Sequence, residues 1–198
     1  MAGLIGLYGG SFDPVHRGHV ATAEELLARF PFREIRLLPA ARSPLKTRSL
    51  PDHHRLAMLQ LAVTGHPGLM IDARELRRPP PSYTTDTLQE IRAELGPSAS
   101  LVFILGLDSF LDLPRWKDWQ TLTAYAHLLV VSRPGSHPEF SPELARWLEK
   151  HRISGPESLE SSPAGGVLLV ETAPHAMASR DIRAAVQAGC SGLSNQQL

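Results

Sequence analysis

The apolar positions of this chain form two kinds of segment that alternate along its length. Short continuous apolar runs bounded by glycine or proline predict buried strands; they span 4–8, 34–39, 69–71, 101–105, 128–131 and 167–170. Apolar residues at three- and four-residue spacing predict helices; these span 20–30, 52–63, 82 to about 95, 143–150, and 179 to a stop at Gly189. This alternation predicts an α/β fold, a doubly wound parallel sheet with helices on both faces.

Composition narrows the class of protein. A length of 198 residues favours a single domain, which we expect to cover 1–189, followed by a polar tail at 190–198. Twenty basic and twenty acidic residues cancel, which argues against nucleic acid or an anionic membrane as the partner. The single cysteine, Cys190, excludes an internal disulfide, and the chain has neither a leader pattern nor an apolar run near the roughly 20 residues of a membrane span. A cytoplasmic location is the expectation.

The segment 9–19, Gly-Gly-Ser-Phe-Asp-Pro-Val-His-Arg-Gly-His, joins the first predicted strand to the first helix. Its opening glycine pair lets a ligand approach the main chain, and the free N–H groups of a helix start bind anions. His16 and His19 leave the same face if the helix has begun there, and Gly18 removes a side chain between them. The pattern predicts two imidazoles and several N–H groups converging on phosphate. The alternative is a glycine turn with two surface histidines.

Three further cationic positions suit a phosphate. Lys46 lies in a basic, proline-containing loop at 40–51, where an ammonium can follow a moving charge or simply be solvated. Arg133 follows the strand at 128–131. Ser179 and Arg183 lie one helical turn apart, so a hydroxyl, helix N–H groups and a guanidinium can hold a polyphosphate together.

Other residues favour a second, planar and anionic ligand. The helix that begins near 82 is rich in hydroxyls, and its N–H groups favour a carboxylate, although ordinary capping by Ser82, Thr84 or Thr85 explains the same pattern. Trp116 can stack on a planar ring with Trp119 packed beneath it, or both can belong to the core.

The strands at 4–8 and 101–105 are both followed by glycine, which predicts that their tips share one crevice. Ligands of open parallel sheets bind outside the carboxyl ends of strands. Gly106 follows the second of these strands, and Asp108 comes two residues later. Asp108 is therefore expected either to bind sugar hydroxyls or to cap the next helix.

The segment 9–19 resembles the (H/T)xGH signature of the nucleotidyltransferase superfamily, in the form GGxFDPxHxGH. Six later segments, in the same order, are similar to bacterial nicotinate-mononucleotide adenylyltransferases: 39–46, 81–84, 106–108, 114–116, 133–135 and 179–183. The resemblance implies a Rossmann-like nucleotidyltransferase fold. It also implies transfer of the adenylyl group of ATP to nicotinate mononucleotide, giving deamido-NAD and pyrophosphate in NAD biosynthesis.

The resemblance also implies roles for individual residues. The catalytic set would be His16, His19, Lys46 and Arg183. ATP would be bound by Gly9, Gly10, Ser11, Phe12, Gly18, Gly106, Asp108, Arg133 and Ser179. The mononucleotide would be bound by Tyr83 and Thr84, whose main chain receives the nicotinate carboxylate, and by Trp116, which stacks on the pyridine ring. No residue would serve as a metal ligand, because Mg²⁺ would be carried on the ATP phosphates.

Three alternatives stay open at this point. One is a phosphopantetheine adenylyltransferase-like enzyme, although that family shows threonine where His16 stands and lacks the Ser82-Tyr83 and Trp116 features. Another is an adenylyltransferase that prefers nicotinamide mononucleotide. The third is a nucleotide-binding regulator without catalysis, against which His16, His19, Lys46 and Arg183 together argue. The oligomeric state does not follow from the sequence, a homodimer being one option.

Overall fold

The computed structural model describes residues 3–41, 50–174 and 179–187. Its centre is a six-stranded, wholly parallel sheet with the strand order β3-β2-β1-β4-β5-β6. The strands are β1 Leu4–Gly10, β2 Phe32–Pro39, β3 Leu69–Ile71, β4 Leu101–Gly106, β5 His127–Ser132 and β6 Val167–Glu171. All six correspond to predicted strands: β3 has the predicted bounds and the other five are longer by one or two residues, so the predicted α/β sheet is confirmed.

Helices connect the strands. They are α1 Arg17–Arg29, α2 Asp52–Val63, α3 Arg74–Arg77, α4 Thr84–Leu95, α5 Leu107–Leu111, α6 Leu122–Tyr125, α7 Pro142–His151, α8 Glu157–Ser161 and α9 Ser179–Gln187, with 3₁₀ turns at Leu113–Arg115 and Trp119–Thr121. The short helices α3, α5, α6 and α8 lie outside the helices that the apolar spacing predicts. Helix α1 begins three residues earlier than its apolar spacing predicts, which places His16 at its N-cap. Among the described residues, no helix has both the length and the apolar character to cross a membrane.

The sheet is buried on both faces. Within β1, Leu4 and Tyr8 belong to one apolar cluster, whereas Ile5 and Leu7 belong to the other. Because successive side chains of a strand point to opposite faces, β1 contributes to two cores. Helix packing on each face explains why the strands read as continuous apolar runs rather than as alternating ones.

The strand order reverses direction at β1, which is paired with β2 on one side and β4 on the other. The chain runs outward from β1 to β3, then returns across the sheet to β4. Such a reversal leaves a crevice outside the carboxyl ends of the two strands, which is where doubly wound sheets bind ligands. Those ends are Gly10 and Gly106, so the expected neighbourhood of the two glycine tips is confirmed.

Candidate active site

The turn from β1 into α1 is tight because of its glycines and one strained residue. A Cβ added at Gly9 would lie 2.5 Å from Cζ of Phe103, and one at Gly10 would lie 3.0 Å from Cζ of Phe12. Phe12 itself has φ +44°, in the left-handed region that non-glycine residues rarely occupy. Its fully buried ring packs edge-on against Tyr8 at 5.7 Å and holds the residue in this conformation. The main chain therefore comes close to the crevice, with no side chain projecting from the two glycines.

His16 and His19 form one unit at the start of α1. The His16 N–H donates to Nδ1 of His19 at 3.2 Å, and the His19 N–H donates to the carbonyl of His16 at 2.9 Å. The first of these bonds, from the N-cap N–H to the side chain of the third helical residue, is one half of a capping box. The ring centroids are 3.8 Å apart, and the His19 ring also contacts Phe12 at 5.0 Å. The rings lie together, as their spacing predicts, while their role in phosphate binding stays a prediction.

The surroundings of His19 keep its ring neutral. Burial, together with the charge of the neighbouring His16, lowers the pKa of His19 to about 3. Since Nδ1 accepts a hydrogen bond from the main chain, the neutral ring carries its proton on Nε2. His19 therefore offers one N–H donor without bringing a net charge of its own. A bound anion would favour its protonation, because an opposite charge nearby raises the pKa of an imidazole.

Helix α9 docks on this turn from the other end of the chain. The Ser179 hydroxyl donates to the carbonyl of Pro14 at 2.9 Å, and the Arg183 guanidinium donates to the carbonyl of Asp13. The structure thus brings Ser179 and Arg183 to the turn that carries the histidine pair, through main-chain contacts. Their predicted contacts with phosphate remain predictions.

Other predicted phosphate ligands are more distant or lie outside the described residues. Lys46 falls within 42–49, which the structure does not describe. Arg133 is exposed directly after β5, which lies beside β4 on the side away from β1. Gly106 ends β4, and a Cβ added there would meet nothing within 4 Å, so this strand tip faces open space. Asp108 is exposed in the first turn of α5, whose N-cap is Gly106, so Asp108 is not the cap.

The start of α4 faces the segment that carries Trp116. Its N-cap is Tyr83, and no side chain accepts a hydrogen bond from the N–H groups of this helix start as a cap. The alternative of capping by Ser82, Thr84 or Thr85 therefore does not hold. The Thr85 hydroxyl donates instead to the carbonyl of Lys117 at 2.8 Å. The Lys117 ammonium lies 4.8 Å from the centre of the Tyr83 ring. These contacts hold the first turn of α4 beside the residue that follows Trp116.

Trp116 is half-buried, and its ring lies edge-on to Phe103, with centroids 6.4 Å apart. Phe103 also contacts the position of Gly9, so one phenyl ring separates the glycine turn from the indole. Trp119 is buried and packs on Trp147 at 5.1 Å. Of the two alternatives, Trp119 takes the core position, under α7, and the ring that contacts Trp116 is Phe103.

Two buried charged residues near the turn were not singled out from the sequence. Arg55 is 1% exposed and donates to the carbonyl oxygens of Ser11 and Ala40. Glu75 is buried, which raises the pKa of its carboxyl, and it accepts a hydrogen bond from Thr87 at 2.8 Å. The sequence does contain one indication that Arg55 is buried: it lies one helical turn before the buried Leu59, on the apolar face of α2.

A second concavity borders the histidine pair. A cavity of about 570 Å³ opens between α1 and α2, and its wall includes His16 along with apolar residues such as Val20, Met58 and Leu61. The crevice outside β1 and β4 is the place where doubly wound sheets bind ligands, and glycine main chain and the N-terminus of α1 lie beside it. Within 3–41, 50–174 and 179–187, no group of three or more His, Cys, Asp or Glu side chains is arranged to hold a metal ion.

Comparison with known proteins identifies the family of this chain. The cytidylyltransferase-like family model matches residues 7–185. A protein of Marinomonas sp. is 42% identical over 180 residues, covering 90% of this chain and 81% of its own length. A protein of Pseudomonas aeruginosa is 41% identical over 190 residues, covering 96% and 88%. Both carry the name "Probable nicotinate-nucleotide adenylyltransferase".

Solved structures match the fold. The structure of Plasmodium falciparum nicotinic acid mononucleotide adenylyltransferase complexed with NaAD superposes with a TM-score of 0.66 at 19% identity. The match covers 92% of this chain and 83% of that one. A second structure of the same protein, complexed with APC, gives a TM-score of 0.62. At this level of identity the likeness concerns the fold alone.

Proposed function

The chain belongs to the nicotinate-nucleotide adenylyltransferases of the cytidylyltransferase-like family, and on that premise we propose how its residues transfer the adenylyl group of ATP to nicotinate mononucleotide. The products are deamido-NAD and pyrophosphate, in the biosynthesis of NAD. The observation that carries the residue-level proposal is the paired His16 and His19 rings at the N-terminus of α1, beside the β1–β4 crevice.

The chemical step is an in-line displacement at phosphorus. A phosphate oxygen of the mononucleotide forms a bond to the α-phosphorus of ATP, and the bond from that phosphorus to the bridging oxygen of pyrophosphate breaks. The attacking phosphate is already an anion, so no general base has to remove a proton. Catalysis then comes from alignment and from positive charge and N–H donors around the transition state.

We assign the phosphate-binding roles as follows. His19 donates its Nε2–H to the reacting phosphate, and His16 lies beside it at the N-cap. The amides of the turn at Gly9, Gly10, Ser11 and Phe12, with Gly18 leaving space, line the α-phosphate. Lys46, Ser179 and Arg183 hold the β- and γ-phosphates, and the positive charges of Lys46 and Arg183 stabilise the leaving pyrophosphate. Arg133 extends this positive rim, and Gly106 and Asp108 border the adenosine.

The mononucleotide half-site follows from the first turn of α4. Its amides at Tyr83 and Thr84 accept a carboxylate, because helix N-termini present N–H donors and a positive partial charge. Trp116 stacks on the pyridine ring. A carboxamide is uncharged and has a single acceptor oxygen, so its N–H₂ would leave one of these donors without an acceptor; we therefore propose that the acid is preferred over nicotinamide mononucleotide.

The proposal includes a metal ion, Mg²⁺, and a cytoplasmic location. Mg²⁺ would be carried on the ATP phosphates rather than by protein side chains, and it would supply positive charge near the leaving pyrophosphate. The reaction takes place in the cytoplasm, which fractionation of the source cells would test.

A pyrophosphate-release assay tests the function directly. The purified chain is supplied with ATP, Mg²⁺ and either nicotinate or nicotinamide mononucleotide. We expect turnover with the acid and a clearly lower kcat/KM with the amide. Equal kcat/KM values would contradict the carboxylate site at α4. Absence of pyrophosphate with both substrates would contradict the enzymatic function.

A further inference from the structure

A buried cation beneath the glycine turn has no part in the proposed chemistry. Arg55, in the first turn of α2, is 1% exposed. One guanidinium nitrogen, Nη1, donates to the carbonyl of Ser11 at 2.7 Å and to the carbonyl of Ala40 at 2.8 Å. The other, Nη2, donates to Oδ1 of Asp52 at 2.7 Å. Burying a charge is costly, and a buried ion pair is often no more stabilising than apolar packing. Stability alone is therefore a weak reason for an arginine here.

The two carbonyls belong to the two segments that frame the phosphate side of the site. Ser11 lies in the turn between β1 and α1, and Ala40 is the first residue after β2. Ala40 also donates its N–H to the carbonyl of Gly10 at 2.8 Å. In a trans peptide the C=O and the following N–H point in opposite directions. Holding the Ser11 carbonyl on Arg55 therefore turns the Phe12 N–H away from Arg55.

The peptide between Ala40 and Ala41 is held from both sides. Arg55 binds its carbonyl, and the Ala41 N–H donates to Oε2 of Glu75 at 3.4 Å. The other oxygen of Glu75 accepts the Thr87 hydroxyl of α4 at 2.8 Å. Contacts thus run without a gap from the glycine turn, through Arg55 and Glu75, to the helix whose start is the proposed carboxylate site.

We propose that Arg55 is a positioning residue for adenylyl transfer. It fixes the orientation of the peptide groups in the β1–α1 turn relative to the chain that leaves β2, so that the N–H donors of the turn meet the triphosphate without reorganisation. This inference rests on the proposed function. It predicts that losing the guanidinium raises the KM for ATP and lowers kcat, and that the KM for the mononucleotide changes much less.

Arg92 provides a matched control at the opposite end of the sheet. Its guanidinium also binds main-chain carbonyls, those of Tyr125 and Ala99, near the amino ends of β4 and β5. Arg55→Met and Arg92→Met therefore remove the same kind of contact, one beside the site and one remote from it. Arg55→Lys keeps the charge but has a shorter reach and no planar fork.

The test measures steady-state kinetics with each substrate varied, the affinity for a non-hydrolysable ATP analogue by calorimetry, and the melting temperature. A misplacement near 1 Å costs about 100-fold in rate, so Arg55→Met should lose about that factor in kcat/KM for ATP. Arg55→Lys should lie between it and wild type. Arg92→Met should melt earlier with unchanged kinetic constants.

Unchanged ATP kinetics in folded Arg55→Met would overturn the proposal. If that variant does not fold, Arg55→Lys decides in the same way: a raised KM for ATP supports the proposal and wild-type constants overturn it. An inactive wild-type enzyme would instead refute the proposed function. In that case the affinity for the ATP analogue still compares the variants, because binding does not require the acceptor substrate.

Discussion

Replacing His19 by asparagine separates the structural contact of this residue from its chemical one. The His19 ring does two things: Nδ1 accepts the His16 N–H at 3.2 Å, and Nε2–H is the proposed donor to phosphate. Asparagine places an amide oxygen near the position of Nδ1 and nothing near Nε2. Glutamine does the reverse, since its longer side chain brings an amide nitrogen near Nε2.

The magnitudes expected for the two contacts differ widely. A neutral, half-buried hydrogen bond of this kind contributes about 1 kcal/mol to folding. Loss of one donor that acts on the transition state costs about 100- to 1000-fold in kcat. We therefore expect the free energy of unfolding of His19→Asn to lie within about 1 kcal/mol of the wild-type value, and its kcat to fall about 100-fold or more. His19→Gln should be less stable and should retain more activity than the asparagine variant.

Urea unfolding gives the free energies, and pyrophosphate release with both substrates saturating gives kcat. A matched control is His127, a buried histidine whose ring binds the carbonyl of Ser162 and the N–H of Gly166, away from the crevice. His127→Asn should lower stability and leave kcat near wild type. The reasoning fails if His19→Asn keeps a kcat within a few-fold of wild type, or if it is more active than His19→Gln.

Three further predictions follow from the geometry. Gly9→Ala should lower the free energy of unfolding by about 1–3 kcal/mol in urea titrations, because its Cβ would lie 2.5 Å from the buried Phe103 ring, and Phe103→Leu should recover part of that loss. Trp116→Leu should raise the KM for nicotinate mononucleotide about 10-fold or more and leave the KM for ATP nearly unchanged, and equal effects on both would exclude the stacking role. The pKa of His19 is lowered to about 3 from its ordinary value near 6.5, so the contribution of the neutral ring to stability is complete above pH 6.5 and is lost as the pH falls toward 3. Wild type should therefore lose free energy of unfolding more steeply than His19→Asn between about pH 6.5 and 4. Parallel pH dependences of unfolding for the two proteins would contradict this.

Much of the fold was predictable because its signals are local. Each parallel strand is buried on both faces, so it reads as an apolar run that needs no partner to be recognised. The segments that form α3 and α8 gave no such signal. Helix α3 is four residues long and is followed closely by three prolines, and α8 is five residues long within a glycine- and serine-rich stretch. Such short helices are set by their surroundings rather than by periodicity.

Some features of the candidate site were also predictable from local sequence and others were not. The histidine pair was predictable because three-residue spacing and one N-cap determine its geometry. The partner of Trp116 was not, since choosing between Phe103 and Trp119 requires knowledge of which strand lies beneath the loop. Arg55 was missed because its partners, the carbonyls of Ser11 and Ala40, lie far away along the chain and carry no side-chain signature.

The central claim is that the triphosphate of ATP binds at the β1–α1 turn against the paired imidazoles. The most direct measurement is the titration of the His19 ring, followed by NMR of ¹⁵N-labelled histidine and assigned with His19→Asn, with and without a non-hydrolysable ATP analogue. We predict that the ring is neutral in the free protein down to acidic pH, and that the analogue raises its pKa and shifts its Nε2 signal. His19 signals that do not change at saturating nucleotide would contradict the claim.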